Sequence, residues 1–277
     1  MRCSFLESRI GIPHAMQDKL TLMIPGPTPV PETVLKAMGR HPIGHRSGEF
    51  QTIVRRTTEQ LKWLHQTSSD VLVITGSGTA AMEAGMINTL SRGDKVLCGN
   101  NGKFGERVAH MADRFCTLKH IQYEWGRSFD LYEIEEELAK GCYEGLAICH
   151  NETSTAITQD AAALAEMCER HNVSFILDGI TSVGGMPVHP AKWKAEAVVM
   201  GAQKCTAGPS GIAAIAINEH GVERIKAIHQ QGDANPRYYL DMISALKKGD
   251  DDQTPWTPAI NLAMGWGEAL AYLKEET

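Results

Sequence analysis

Along this chain, short unbroken runs of apolar residues alternate with longer stretches in which apolar residues return every three or four positions. The first pattern suits strands buried on both faces, the second amphipathic helices. Val71 to Thr75, Lys95 to Cys98, Thr117 to Gln122, Leu146 to His150, Val173 to Asp178, Ala197 to Met200 and Gly211 to Ile217 are predicted strands. Helices are predicted near Glu49 to Thr67, Ala80 to Leu90, Phe104 to Phe115, Leu131 to Lys140, Asp160 to His171, Val222 to Gln230 and Ala259 to Lys274. In the first of these, Phe50, Ile53, Val54, Thr57, Leu61 and Leu64 share one face. Strands alternating with helices give an α/β fold, a mostly parallel sheet sandwiched by helices. The polar run Lys247 to Asp252 is predicted to be a solvated loop leading into Thr254-Pro255-Trp256-Thr257-Pro258.

A net charge of −6 offers no basic footprint for nucleic acid, so a small-molecule partner is expected. Cys3, Cys98, Cys116, Cys142, Cys149, Cys168 and Cys205 are scattered without a C-x-x-C pair, which suits reduced thiols in a cytoplasm. No run approaches the roughly 20 apolar residues of a membrane span, and Met1 to Lys19 lacks an apolar signal core. Residues 1–19 are read as an N-terminal extension, and Met16 stands as an alternative start.

Three positions carry the candidate chemistry. The strand Val71 to Thr75 runs into Gly76-Ser77-Gly78-Thr79-Ala80-Ala81 and then a helix, a turn whose free N–H groups and helix dipole favour a phosphate. Gly76-x-Gly78-x-x-Ala81 also fits the dinucleotide fingerprint, which would make the chain an NAD-dependent oxidoreductase. The following strand, however, ends in Cys98-Gly99-Asn100-Asn101, with no acid to hold a ribose. Asp178 ends a second apolar strand, where a carboxylate needs a cation or helix N–H groups. Lys204 follows a third, in Gly201-Ala202-Gln203-Lys204; such a lysine is either solvent-exposed or held ready for Schiff-base chemistry.

Pro25-Gly26-Pro27-Thr28-Pro29-Val30, Gly76-Ser77-Gly78-Thr79, His150-Asn151-Glu152-Thr153-Ser154-Thr155, Asp178 and Gln203-Lys204 occur in an order that resembles the class V aminotransferases. The likeness is to the alanine–glyoxylate and serine–glyoxylate (serine–pyruvate) group of fold-type I pyridoxal-phosphate enzymes, and runs from Leu20 to the end. It implies a large domain over residues 20–258 with a seven-stranded sheet, and pyridoxal 5'-phosphate as cofactor. It implies that Ser77, Gly78 and Thr79 hold the cofactor phosphate, that Phe104 and Ile180 cover the two faces of the ring, and that Thr153 stands near the phenolic oxygen. Asp178 would pair with the ring nitrogen, Gln203 would flank the cofactor and Lys204 would bind it covalently; Asp178 and Lys204 are the catalytic candidates. Thr254 and Thr257 would reach the cofactor phosphate of a second subunit, making a homodimer.

Gln203 stands where cysteine desulfurases usually carry a histidine, which favours transamination between a small amino acid, alanine or serine, and glyoxylate or another 2-oxo acid. Relatives continue into a smaller C-terminal domain that supplies an arginine for the substrate carboxylate, whereas residues 259–277 are read as a final helix leading to that absent domain. Gly26 and Arg46 are the substrate-contact candidates, Arg46 as a substitute for that arginine. On this expectation Ile260, Met264, Leu270 and Leu273 form an apolar stripe left exposed. An inactive cofactor-binding or dimerisation module remains the alternative.

Overall fold

The apolar runs do become the centre of a sheet. A computed structural model describes residues 21–232 and 234–276; the expected extension over residues 1–19, with Cys3 and Met16, lies outside them. The elements in order are α1 (Glu32–Met38), α2 (Gly48–Leu64), β1 (Asp70–Thr75), α3 (Gly78–Thr89), β2 (Lys95–Asn100), α4 (Lys103–Ala112), β3 (Thr117–Gln122), α5 (Leu131–Leu138) and β4 (Gly145–Cys149). A two-strand hairpin, β5 (Asn151–Glu152) and β6 (Ile157–Thr158), precedes α6 (Ala161–His171), β7 (Ser174–Asp178), β8 (Ala197–Gly201), β9 (Ile212–Ile217), α7 (Glu219–Gln231), α8 (Met242–Gly249) and α9 (Ile260–Glu276).

The seven-stranded sheet has the order β1-β9-β8-β7-β4-β2-β3, with β9 antiparallel to both its neighbours and the remaining pairs parallel. Strands β4, β7, β8 and β9 are buried at every position because helices cover both faces. Alternate residues feed two cores: Leu146, Phe175 and Val198 meet Phe50, Leu164 and Trp266 on one face, while Ala147, Ile176 and Val199 meet Met82, Met86 and Val108 on the other. The edge strand β3 is less covered, with Thr117, Lys119 and Gln122 exposed and only Ile121 buried.

Two sequence expectations need correction. Lys247, Lys248 and Gly249 belong to the last turn of α8 rather than to a loop: Asp241 caps the helix by accepting the Ser244 N–H at 3.0 Å, and the lysines lie at the negative end of its dipole. The α9 stripe is not bare either. Met264 and Leu270 are buried and Trp266 is fully enclosed, because this helix lies against α1 and α2, with the Trp266 indole N–H on Thr206 Oγ1 at 3.1 Å. The pattern identified an apolar face, but its partner is the chain's own N-terminal helices, and α1 is too short to stand out by periodicity. Among the described residues no helix is long and apolar enough to cross a membrane.

Candidate active site

Strands β2, β4, β7 and β8 run parallel, so their carboxyl ends open together at one edge of the sheet, the usual place for a ligand in such folds. Lys204 lies just past the end of β8, its backbone N–H on Gly201 O at 3.3 Å. The segment before α1 crosses over it: Thr28 donates its N–H to Gln203 O at 3.0 Å and its hydroxyl to Lys204 O at 3.1 Å. This crossing requires glycine at position 26. Its φ of +141° is one that side chains rarely adopt, and a Cβ there would stand 2.6 Å from Lys204 Cδ and 2.7 Å from Nζ. Burial holds the Lys204 amine below its ordinary pKa, although Cys205 and Asp178 pull it upward.

Asp178 is the last residue of β7, paired across the sheet with Cys149 of β4 and Val199 of β8. One carboxylate oxygen accepts the Ile180 N–H at 2.9 Å; the other takes no donor from the described residues. Burial therefore pushes the group from its ordinary 3.8 up to about 6, with the Ile180 bond opposing and the nearby Glu152 adding to the rise. A buried acid in this condition is suited to a cationic ligand.

The turn after β1 is built as an anion cradle. Gly76 takes φ +155° and gives its N–H to Gly211 O at 2.9 Å. Ser77 occupies the N-cap of α3 without a side-chain cap, and among the described residues nothing accepts the N–H of Gly78 or Thr79. A Cβ on Gly78 would lie 2.5 Å from Ile180 Cδ1, so the turn and the residue after Asp178 pack directly on each other.

Phe104 stands in the first turn of α4, and Glu152, fully buried in the hairpin, fixes that turn. Its Oε2 accepts the N–H groups of Phe104 and Gly105 at 2.9 and 2.8 Å, and its Oε1 accepts from the N–H and hydroxyl of Ser154 at 3.1 and 2.6 Å. Gly102, beside it, leaves the space the carboxylate occupies. Thr153 donates its hydroxyl to Thr181 Oγ1 at 3.1 Å, and Thr181 in turn reaches Asn151 O at 3.0 Å.

Ser77, Gly78, Thr79, Phe104, Thr153, Asp178, Ile180, Gln203 and Lys204 all line one cavity of about 170 Å³. Arg107, Cys149, Asn151 and Thr181 line it too, although the sequence did not single them out. Burial keeps the Cys149 thiol well above its ordinary pKa, hence protonated, and it donates to Asn151 O at 3.3 Å. Gln203 Oε1 is buried without a hydrogen-bond partner among the described residues. A larger groove of about 420 Å³ lies at the amino ends of β7 and β8, but its charges pair with one another, Lys194 with Glu169 and Arg224 with Glu196 at 3.9 Å.

The remaining candidates gather elsewhere. Arg46 Nη1 donates to Gln253 Oε1 and Thr254 O, both at 2.6 Å, and Nη2 to Pro255 O at 3.2 Å. Thr254 donates its hydroxyl to Trp256 O at 2.8 Å, and the exposed Thr257 hydroxyl is 3.5 Å from His45 Nε2. None of the three lines the cavity. Arg46, expected as a carboxylate receptor, spends its donors on the backbone of residues 254 and 255 and the side chain of residue 253.

A ligand suited to the cavity carries an anion for the free N–H groups of α3, a cation for Asp178, a flat ring for Phe104 and Ile180, and an electrophilic carbon for Lys204. Pyridoxal phosphate has all four, and its polar ring substituents give the orphaned Gln203 oxygen a counterpart. The sequence profile of the aminotransferase class-V family matches residues 21–277. A protein of a Synechococcus species named as the small subunit of a soluble hydrogenase is 39% identical over 94% of this chain and 68% of its own length. The serine–glyoxylate aminotransferase of Methylorubrum extorquens is 31% identical over 92% of this chain and 65% of its own. The crystal structure of an alanine–glyoxylate aminotransferase from a Nostoc species superposes with a TM-score of 0.85 at 29% identity, covering 97% of this chain and 73% of that one. The chain belongs to the class V aminotransferases, enzymes of fold type I that depend on pyridoxal phosphate. It spans about two thirds of the length of these relatives.

Proposed function

We propose that this chain carries out transamination between a small amino acid, alanine or serine, and glyoxylate or another 2-oxo acid. The observation that carries the reading is the meeting of Lys204, Asp178 and the open N-terminus of α3 around one cavity. When bound, pyridoxal phosphate supplies a carbon that joins to amines and a ring that takes up the electron pair left at the α-carbon.

Lys204 contributes the amine. Its burial favours the neutral, nucleophilic form, and with cofactor and substrate bound its Nζ would take the α-proton and hand it to the cofactor carbon, two atoms along. Asp178 holds the proton on the ring nitrogen, the cation its buried carboxylate lacks. The backbone N–H groups of Gly78 and Thr79, with the Ser77 and Thr79 hydroxyls, bind the phosphate, while Phe104 and Ile180 enclose the ring and exclude water. Thr153 and Gln203 face the ring's polar edge. Gly26 leaves room for Lys204 and borders the substrate. Thr254 and Thr257, on the segment braced by Arg46, would reach the cofactor phosphate of a second copy of the chain, making the working unit a homodimer. The choice of donor and acceptor rests on the names of the Methylorubrum and Nostoc relatives.

The test is a half-reaction. Protein loaded with pyridoxal phosphate and given alanine or serine without an acceptor is expected to release the matching 2-oxo acid, up to the amount of cofactor bound. Cofactor binding with no 2-oxo acid released would leave the chain a cofactor-binding module and overturn the proposal.

A further inference from the structure

An exposed arginine at the rim of the cavity is not used by the reading above. Arg107 stands one helical turn after Phe104 on α4, on the same face. Its guanidinium carbon is 4.9 Å from the centre of the Phe104 ring, and its Nη1 donates to Thr79 Oγ1 at 3.3 Å. No ion pair accounts for its presence. Its acidic neighbour Glu106 pairs with Lys103, and among the described residues no carboxylate pairs with Arg107. One weak bond to a neutral hydroxyl leaves the rest of its five-donor fork open to solvent, without an acceptor among the described residues.

Resting on the pyridoxal-phosphate reading, we propose that Arg107 is a specificity-determining residue that makes the site select the phosphorylated cofactor over unphosphorylated pyridoxal. The geometry supports this in two ways. An anion on the Ser77 to Thr79 turn would have the helix N–H groups on one side and the guanidinium on another, the fork arrangement that suits phosphate. By donating to Thr79 Oγ1, Arg107 also occupies that oxygen as an acceptor and leaves the hydroxyl proton free to point at the anion. The charge of Arg107 is felt throughout the cavity: it opposes the upward push on Asp178 and Cys149 and adds to the downward push on Lys204. A phosphate beside it would offset that last effect, so the arginine and the anion belong together electrostatically.

The experiment is a spectroscopic titration of the cofactor-free full chain with pyridoxal 5'-phosphate and, separately, with pyridoxal. For Arg107→Ala the Kd of the phosphate ester should rise about 10- to 100-fold, as loss of a charged hydrogen-bond partner implies. The Kd of pyridoxal should change by less than about twofold, since that ligand offers the guanidinium no anion. Arg107→Gln, similar in length but neutral, should give the same loss of selectivity if the alanine variant does not fold. Equal weakening toward both compounds would reduce Arg107 to a brace for Phe104 and overturn the inference. Unchanged selectivity would overturn it as well. If the parent chain binds neither compound, the cofactor reading falls and takes this one with it; tight, selective binding that survives loss of Arg107 sinks the arginine alone.

Discussion

The buried carboxylate of Glu152 accepts the backbone N–H of Phe104 at 2.9 Å, so a residue of the β5–β6 hairpin holds the aromatic that faces the proposed cofactor ring. The same carboxylate takes three further donors, from Gly105 and twice from Ser154. Glu152→Ala would strand buried N–H groups at the start of α4, at a cost of about 2 to 4 kcal/mol. The cofactor-free variant should melt about 5 to 10 °C below the parent. Glu152→Gln should recover part of the loss, because its carbonyl oxygen can still accept the Phe104 and Gly105 N–H groups while its NH2 faces the Ser154 N–H. A melting temperature within about a degree of the parent would show that α4 does not depend on this cap.

Asp178 makes stability depend on pH in a direction opposite to that of an ion-paired acid. Its folded pKa of about 6 lies above the ordinary 3.8, so the folded chain holds this proton more tightly than the unfolded chain. The stabilisation is fully present below 3.8 and is lost as pH rises through about 6, a change on the order of 3 kcal/mol. Urea denaturation of the cofactor-free protein from about pH 4 to about pH 8 should show that decline in the parent and not in Asp178→Asn, which should be the more stable at neutral pH. With cofactor and amino acid present the order reverses in function. Loss of the ring-nitrogen partner should slow α-proton exchange by several orders of magnitude, about 4 kcal/mol of barrier. A variant that exchanges the proton at the parental rate would remove Asp178 from the chemistry.

Arg46 permits two readings that one variant separates. If it braces residues 253–255, Arg46→Ala should speed amide hydrogen exchange in that segment while leaving the KM for the amino acid unchanged. If it receives the substrate carboxylate, exchange should stay as it was and the KM for the amino acid should rise.

The parts of this architecture that the sequence announced are those in which local pattern and burial agree. Phe175-Ile176-Leu177 and Ala197-Val198-Val199-Met200 are apolar throughout and lie at the sheet's centre, and the glycine turn after Val71 to Thr75 begins α3 as its spacing suggests. Lys204, Asp178 and Ser77, far apart in the chain, are linked in the sequence only by a shared order of motifs, and the parallel strands bring them to one cavity. What could not be read depends on tertiary neighbours. Arg107 looked like any polar residue on a helix, and only its distance to Thr79 gives it meaning. Glu152 lay inside a noted motif, but its capping role requires the hairpin to fold against α4. Cys149 ends an apolar strand and is buried, yet it also borders the cavity because β4 ends beside Asp178. Arg46 shows the same limit, since its position before α2 says nothing about the backbone carbonyls of residues 254 and 255 that its guanidinium meets.

The most direct measurement is the fate of Lys204 on reduction. The purified chain, incubated with pyridoxal phosphate, treated with borohydride and digested, is expected to carry the cofactor's mass on the peptide containing Lys204 and on no other lysine peptide in comparable amount. Gly26, Thr28 and the end of β8 position this amine at the cavity that also holds Asp178 and the α3 N-terminus. Label on a different lysine, or no label at saturating cofactor, would contradict the assignment of the site.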